Sequence, residues 1–218
     1  MLRIAIVNSC HPTYSKQMLE VCRFADISIY CSGADGCRDV VDLCIGVPDV
    51  GDDIYVIRSL KNRGSLCSGK ICFYVIRDTS IAVAGIDGLT PYQSIQMLKR
   101  SIESFPRLKL DLFILVSSYP FKESVCSITT ALGRILCVGI DAPDLLAKVC
   151  SSIYASKYIA LACRASTLCF DTIACFTYIA LPRHSGDRVY LLEVDTGSEV
   201  VKVELGAMSR SRMRSKAL

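Results

Sequence analysis

Tryptophan is absent from the 218 residues, and histidine occurs only twice, at His11 and His184. So few imidazoles argue against a hydrolytic site built on a histidine-rich metal cluster. Charged residues are also scarce, at 21% against 51% hydrophobic. That balance excludes a disordered chain and points to many strands buried on both faces. The net charge of +4 equals the contribution of Arg210, Arg212, Arg214 and Lys216, all beyond the last acid, Glu204. The rest of the chain is neutral, which argues against a broad nucleic-acid-binding face. The start, MLRIAIVNS, has neither a long apolar core nor a cleavage site, and no stretch is long enough to span a bilayer. The expectation is a cytoplasmic protein with no membrane association.

Cysteine is the residue in excess, with thirteen copies. None has the Cys-x-x-Cys spacing of zinc knuckles and redox motifs. Several lie in apolar runs, such as ILCVG around Cys137 and KICFY around Cys72. There cysteine serves as a small core hydrophobe, so the leading expectation is buried free thiols. Internal disulfides, as found in intracellular proteins of hyperthermophiles, are the alternative.

Along the chain, RIAIVN (3–8) reads as a buried strand ending in a polar loop, followed by a helix over 15–24. ADISIYC (25–31) and DDIYVIRS (52–59) are expected as the second and third strands. KICFYVI and SIAVAGI read as a hairpin, and the stretch after Thr90-Pro91 as an amphipathic helix with proline in its first turn. DLFILVSS (111–118) is a long buried strand, with helices expected over 125–136 and 143–154. From Lys157 the pattern is β, including TIACFTYIAL as one strand and a final hairpin at DTGS. Strands alternating with helices and followed by a run of strands describe an α/β domain over 1–205, with a basic tail over 206–218.

Two local motifs invite a chemical reading. Residues 64–70 have Walker A spacing, yet Ile71 replaces the hydroxyl residue and a strand pattern follows instead of a helix, so a hairpin turn is the better reading. Cys10-His11 places a base beside a thiol, but sequence neighbours on a loop seldom face each other and no orienting third residue can be named.

The order of segments carries more information. RIAIVNSCH, ADISIYCSG, DIYVIRSLKN, DLFILVSSYP, YIALACRA and YIALPRHS resemble, in order and spacing, the signature segments of the calcineurin-like metallophosphoesterases. The resemblance covers about residues 2–195. It implies a metallophosphoesterase-like sandwich of mixed β-sheets flanked by helices, in which strand-end carboxylates, asparagine and histidines hold two metal ions. Mapped position by position, Ser9 stands for the first aspartate and His11 is kept; Gly33, with Asp35 nearby, falls at the Gly-Asp motif. Leu60 and Lys61 fall at the Asn-His pair, Ser117 at a strand-end histidine, and Cys163 and Ala165 at the two histidines of the next motif.

These positions are therefore expected to be vestigial. One imidazole does not hold a two-metal centre, and a lysine in the pocket would repel the ions. No cofactor is expected, with a divalent metal as the alternative. The resemblance implies a fold kept for binding, as in the small subunit of retromer, with a protein partner or a second copy as the ligand. Tyr119, Pro120, Phe121 and Arg164 are the candidate contacts on that side. Two other readings stay open. One is a residual enzyme, a phosphoesterase or phosphate-binding enzyme with an altered, metal-poor site, that uses His11, Asp35, Lys61, Ser117 and Arg164 as a metal-free anion site. The other is nucleic-acid binding through Arg210, Arg212, Arg214 and Lys216.

Overall fold

A computed structural model describes residues 1–8, 22–31, 44–48, 55, 58, 61, 66–131, 134–137, 139–182, 189–195 and 201–206. Strands β1 (Leu2–Val7), β2 (Ile27–Tyr30) and β3 (Cys44–Gly46) run parallel, and β12 (Val189–Val194) and β13 (Val201–Gly206) complete a five-stranded sheet in the order β13-β12-β1-β2-β3. The second sheet has six strands, in the order β10-β11-β9-β6-β5-β4. Its centre is parallel: β5 (Thr79–Ile86), β6 (Lys109–Ser117), β9 (Tyr154–Ala165) and β11 (Phe176–Pro182). Antiparallel β4 (Ile71–Ile76) and β10 (Cys169–Ile173) close its two edges. A separate hairpin joins β7 (Ile128–Ala131) to β8 (Arg134–Cys137).

Side chains on a strand alternate between faces, and both faces of the six-stranded sheet are apolar. Ile81, Val83, Leu112, Ile114, Ile159, Leu161 and Ile179 point inward to Ile4, Ile6, Ile27, Ile29 and Leu192 of the other sheet, forming the core of a sandwich. Ala82, Ala84, Phe113, Leu115, Ala160 and Tyr178 point outward, under helices α1 (Pro91–Glu103) and α2 (Pro143–Ser152). On α1 the buried Ile95, Leu98 and Ile102 recur at helical spacing, and on α2 Leu145, Leu146 and Val149 do the same. Each helix starts with proline, whose missing N–H has no partner to lose there.

Three expectations about elements are corrected. At the described positions of the expected strand over 52–59, Tyr55 and Arg58 are helical and exposed, as is Lys61, while the third strand is Cys44–Gly46. A helix over 125–136 is replaced by a short 3-10 turn (Val125–Ser127) and the β7–β8 hairpin, in keeping with the β-branched run Ile128-Thr129-Thr130. TIACFTYIAL is two strands, because the chain reverses at Ala174, which has φ 51°. Of the helix expected over 15–24, Cys22 and Arg23 are helical and the earlier part lies outside the described residues.

The reading of the cysteines as free thiols is also overturned for eight of them. Disulfides join Cys31 to Cys163, Cys67 to Cys72, Cys126 to Cys169, and Cys150 to Cys175. Cys22 is a buried free thiol. Spacing in sequence conceals these pairs because three of the four have partners 25, 43 and 132 residues apart that meet only through the fold.

Candidate functional site: the converging strand ends

The C-terminal ends of the parallel strands of both sheets meet at one edge of the sandwich, where α/β proteins place their ligand sites. Asn8 leaves β1, Cys31 leaves β2, Val47 and Pro48 leave β3, Asp87 leaves β5, Ser118 leaves β6, and Cys163 to Arg164 end β9. Asn8 is buried, and its Nδ2 reaches the carbonyls of Cys163 (2.6 Å), Leu181 (3.1 Å) and Pro182 (3.1 Å). One side chain of the first sheet thus ties two strand ends of the second. Its Oδ1 is buried with no partner among the described residues. Beside it, the Cys31–Cys163 bridge links the same two sheets covalently, across a Cα–Cα distance of 5.9 Å.

The loop leaving β3 closes another side. The Pro48 carbonyl accepts from the Gly88 N–H (2.9 Å) and the Ser118 hydroxyl (3.2 Å), and the Cys67 N–H donates to the Gly46 carbonyl (3.0 Å). Gly85, on β5, faces this junction: a Cβ there would lie 1.6 Å from the Cys67 carbonyl oxygen, so only glycine fits. Ser117 donates to the Tyr119 carbonyl (2.8 Å) and accepts from the Tyr119 N–H (3.2 Å). At the rim, Arg164 donates from Nη1 to the Tyr119 hydroxyl (3.0 Å), with its guanidinium carbon 5.1 Å from the ring centroid.

Asp87 is the buried carboxylate of this edge. It accepts from the hydroxyls of Ser68 and Ser94, and from the Thr90 N–H (2.6 Å) at the start of α1. Burial opposes its ionisation, but these hydrogen bonds outweigh burial and hold it below the usual carboxylate range. Every oxygen is occupied, so Asp87 ties the end of β5 to Ser68 and to the residues that start α1.

The positions expected to be vestigial separate into two groups. Ser9, His11, Gly33, Asp35 and Leu60 lie outside the described residues, as do His184 and the tail residues Arg210, Arg212, Arg214 and Lys216. Ser117 and Cys163 lie at the converging ends, and Ala165 ends β9 opposite Pro182. Lys61 is not at a strand end, which corrects the third segment: the residues following the third strand are Val47 and Pro48. The signal that could have found them is IGVPD (45–49), a short apolar run ending in glycine and proline, where the longer run DDIYVIRS misleads. Two of the four proposed contacts are also displaced. Pro120 and Phe121 are buried, with Phe121 packed edge-on against Tyr178 at 5.9 Å and its N–H bonded to the Tyr178 hydroxyl. Tyr119 and Arg164 remain partly exposed.

The described strand-end groups are engaged with one another, save the buried Oδ1 of Asn8. The Cys31 and Cys163 sulfurs bond to each other, the Ser117 and Ser118 hydroxyls donate to carbonyls, and the Asn8 amide nitrogen faces inward. No three His, Cys, Asp or Glu side chains gather as a ligand set among the described residues. Likewise Lys61 and Ser117 do not come together as an anion site: Ser117 is buried and engaged locally, and Lys61 is helical and exposed.

The architecture is α/β, a sandwich of two mixed sheets flanked by helices. No protein-family model matches the sequence, and no curated protein matches it. Among solved structures, a hypothetical protein from Thermus thermophilus aligns with a TM-score of 0.55 at 8% identity, covering 94% of this chain and 99% of that one. A structure described as a novel archaeal phosphodiesterase aligns at 0.42 and 10% identity, over 94% and 99%. Vps29 of Entamoeba histolytica, complexed with zinc, aligns at 0.35 and 9%, over 94% and 98%. At such identities the likeness concerns the fold alone. No helix among the described residues is long and apolar enough to cross a membrane.

Proposed function

We propose that this protein keeps a phosphoesterase-like sandwich without metal-dependent hydrolysis and works as a binding subunit. The observation that carries the reading is the Cys31–Cys163 bridge: the β9 strand-end position that the resemblance assigns to a histidine ligand is a cystine sulfur with no lone pair offered as a thiolate. Asn8 and the disulfide make this edge a structural joint, since hydrogen bonds and a covalent bond do there what shared ligands do around a metal. A protein partner is the ligand that the fold's binding relatives suggest, with Tyr119 and Arg164 the part of the proposed contact set that reaches solvent. Their stacked pair presents an aromatic face and a cation, a pairing frequent at interface hot spots.

The test is metal content after purification without chelators, together with hydrolysis of a chromogenic phosphodiester in excess manganese. Substoichiometric metal and no turnover above buffer are expected. Stoichiometric metal bound to the folded protein, or turnover abolished by chelation, overturns the reading.

A further inference from the structure

The two sheets have four edge strands, and an unprotected edge offers a row of backbone donors and acceptors to another chain. Three of the four carry a recognisable protection. β3 is only three residues long, and its last residue, Gly46, bridges to Leu66. β13 reads VKVELG, with two charges in six residues. β10 contains Asp171, which accepts from the Ser124 hydroxyl (2.7 Å) and the Val125 N–H (3.0 Å), and the Cys126–Cys169 bridge fastens the same turn to it.

β4 is neither short nor charged, and its disulfide, Cys72 to Cys67, ties it only to the segment just before it in the chain. It reads ICFYVI, six apolar residues without charge or proline, and no described strand lies beyond it. Phe73 is 44% exposed and Val75 64%. Cys72, Tyr74 and Ile76 pack on the core between the sheets, so Phe73 and Val75 share the opposite face, with exposed Met97 of α1 on the same side of the sheet.

The register says which backbone groups are available. Ile76 pairs with Thr79 across the two-residue turn Arg77-Asp78, whose φ values of 47° and 64° are those of a type I′ hairpin. Residues flanking such a turn exchange both hydrogen bonds, and the ladder alternates from there. Ile76, Tyr74 and Cys72 are therefore bonded to β5, while the N–H and C=O of Ile71, Phe73 and Val75 point away from the sheet.

We infer that β4 is the interface between two copies of this chain, paired antiparallel about a two-fold axis at Phe73. In that register Phe73 faces its counterpart and Ile71 faces Val75 of the other copy, so all three outward residues are satisfied at once. The arrangement is self-complementary, as an isologous dimer demands. It also sets exposed Lys70 diagonally across from exposed Asp78 of the second copy at each end, while Arg77 is held by Asp26 at 2.9 Å. The two six-stranded sheets become one continuous sheet. This inference is independent of the loss of metal chemistry, and either can fail alone.

The test is size-exclusion chromatography with light scattering at tens of micromolar chain, with amide hydrogen exchange read at residues 71, 73 and 75. The wild type is expected at twice the chain mass of 23.9 kDa, with those three amides protected. Val75→Lys is expected at 23.9 kDa with an unchanged circular dichroism spectrum and rapid exchange at the three amides. Phe170→Lys, on the opposite edge strand, is expected to remain dimeric. A monomeric wild type, open-ended aggregates, fast exchange at the three wild-type amides, or a dimer that survives Val75→Lys each overturns the interface.

Discussion

Removing the Cys31–Cys163 bridge is the most informative single perturbation, because this crosslink is proposed to stand where a hydrolase would hold metal. The bridge joins residues 132 apart. In the chain-entropy treatment, closing a loop of that length disfavours the unfolded state by about 5 kcal/mol, against about 4 for the 43-residue separation of Cys126–Cys169, about 3.5 for the 25 of Cys150–Cys175 and about 2 for the 5 of Cys67–Cys72. For a chain of this size each kcal/mol moves the melting temperature by about 2–4 °C, so Cys31→Ala/Cys163→Ala should melt about 10–20 °C lower. Both residues are buried, and the two lost sulfurs add a small cavity cost of their own. Melting with and without a phosphine reductant separates the two contributions. In reductant, a paired variant differs from wild type only by packing, and the gap should shrink to a few degrees. Alkylation followed by peptide mass spectrometry supplies the direct check. If Cys31 and Cys163 are labelled in the native protein without reductant, or if the variant melts with the wild type, the structural-joint reading of this edge is wrong.

Further outcomes follow from single contacts. Asn8→Asp should destabilise far more than Asn8→Ala, by at least about 3 kcal/mol in urea unfolding, because a buried carboxylate would face three carbonyl oxygens in place of a donor. Gly85→Ala should abolish soluble expression or cost several kcal/mol, since the Cβ meets backbone, at 1.6 Å, and not a movable side chain. Phe121→Ala should cost about 3–5 kcal/mol, whereas Phe170→Ala on the exposed edge should stay within about 0.5 kcal/mol. The carboxyl of Asp87 is held below its unfolded value, so its contribution is complete above about pH 4 and disappears as pH falls through the folded value. Asp87→Asn should accordingly flatten the acid limb of a plot of melting temperature against pH, and an unchanged limb would assign that role to other groups.

How much of this is legible in the sequence depends on how local the signal is. The 71–86 hairpin, both proline-started helices and the long central strands follow from continuous apolar patterns, and the structure agrees with them. The third strand does not, because Cys44–Gly46 is short, and its five-residue neighbourhood carries less periodic signal than the longer apolar run DDIYVIRS. Residues 125–136 have enough apolar positions to suit either period, and the β-branched residues decide the outcome. At the strand ends, Ser117 and Cys163 are found through the segment order, but their roles are invisible there. Whether Ser117 bonds its own loop and whether Cys163 meets Cys31 depend on which strands adjoin, and adjacency is set by topology. Asn8 draws no notice in the sequence, although an asparagine directly after an apolar strand is a signal for a buried tie.

The described contacts of this edge show how neutral groups tie the two sheets together. A sandwich packed by side chains alone is open at its strand ends, where carbonyls run out of ladder partners and must be satisfied by water, donors or cations. Here the carbonyls of Cys163, Leu181 and Pro182 share the amide of Asn8, Pro182 also accepts from the Tyr190 hydroxyl at 3.2 Å, and Pro48 takes two donors from the other sheet's loops. These donors are neutral, so no cluster of like charges needs an ion to offset it. On the reading proposed above, one amide, two hydroxyls and a cystine stand where a hydrolase would hold ligands, and the carboxylate of Asp87 is taken up by its own hydroxyl and N–H donors. A single restored carboxylate at this edge would add repulsion without completing a ligand set. On that reading, metal binding would require several simultaneous changes, beginning with the disulfide.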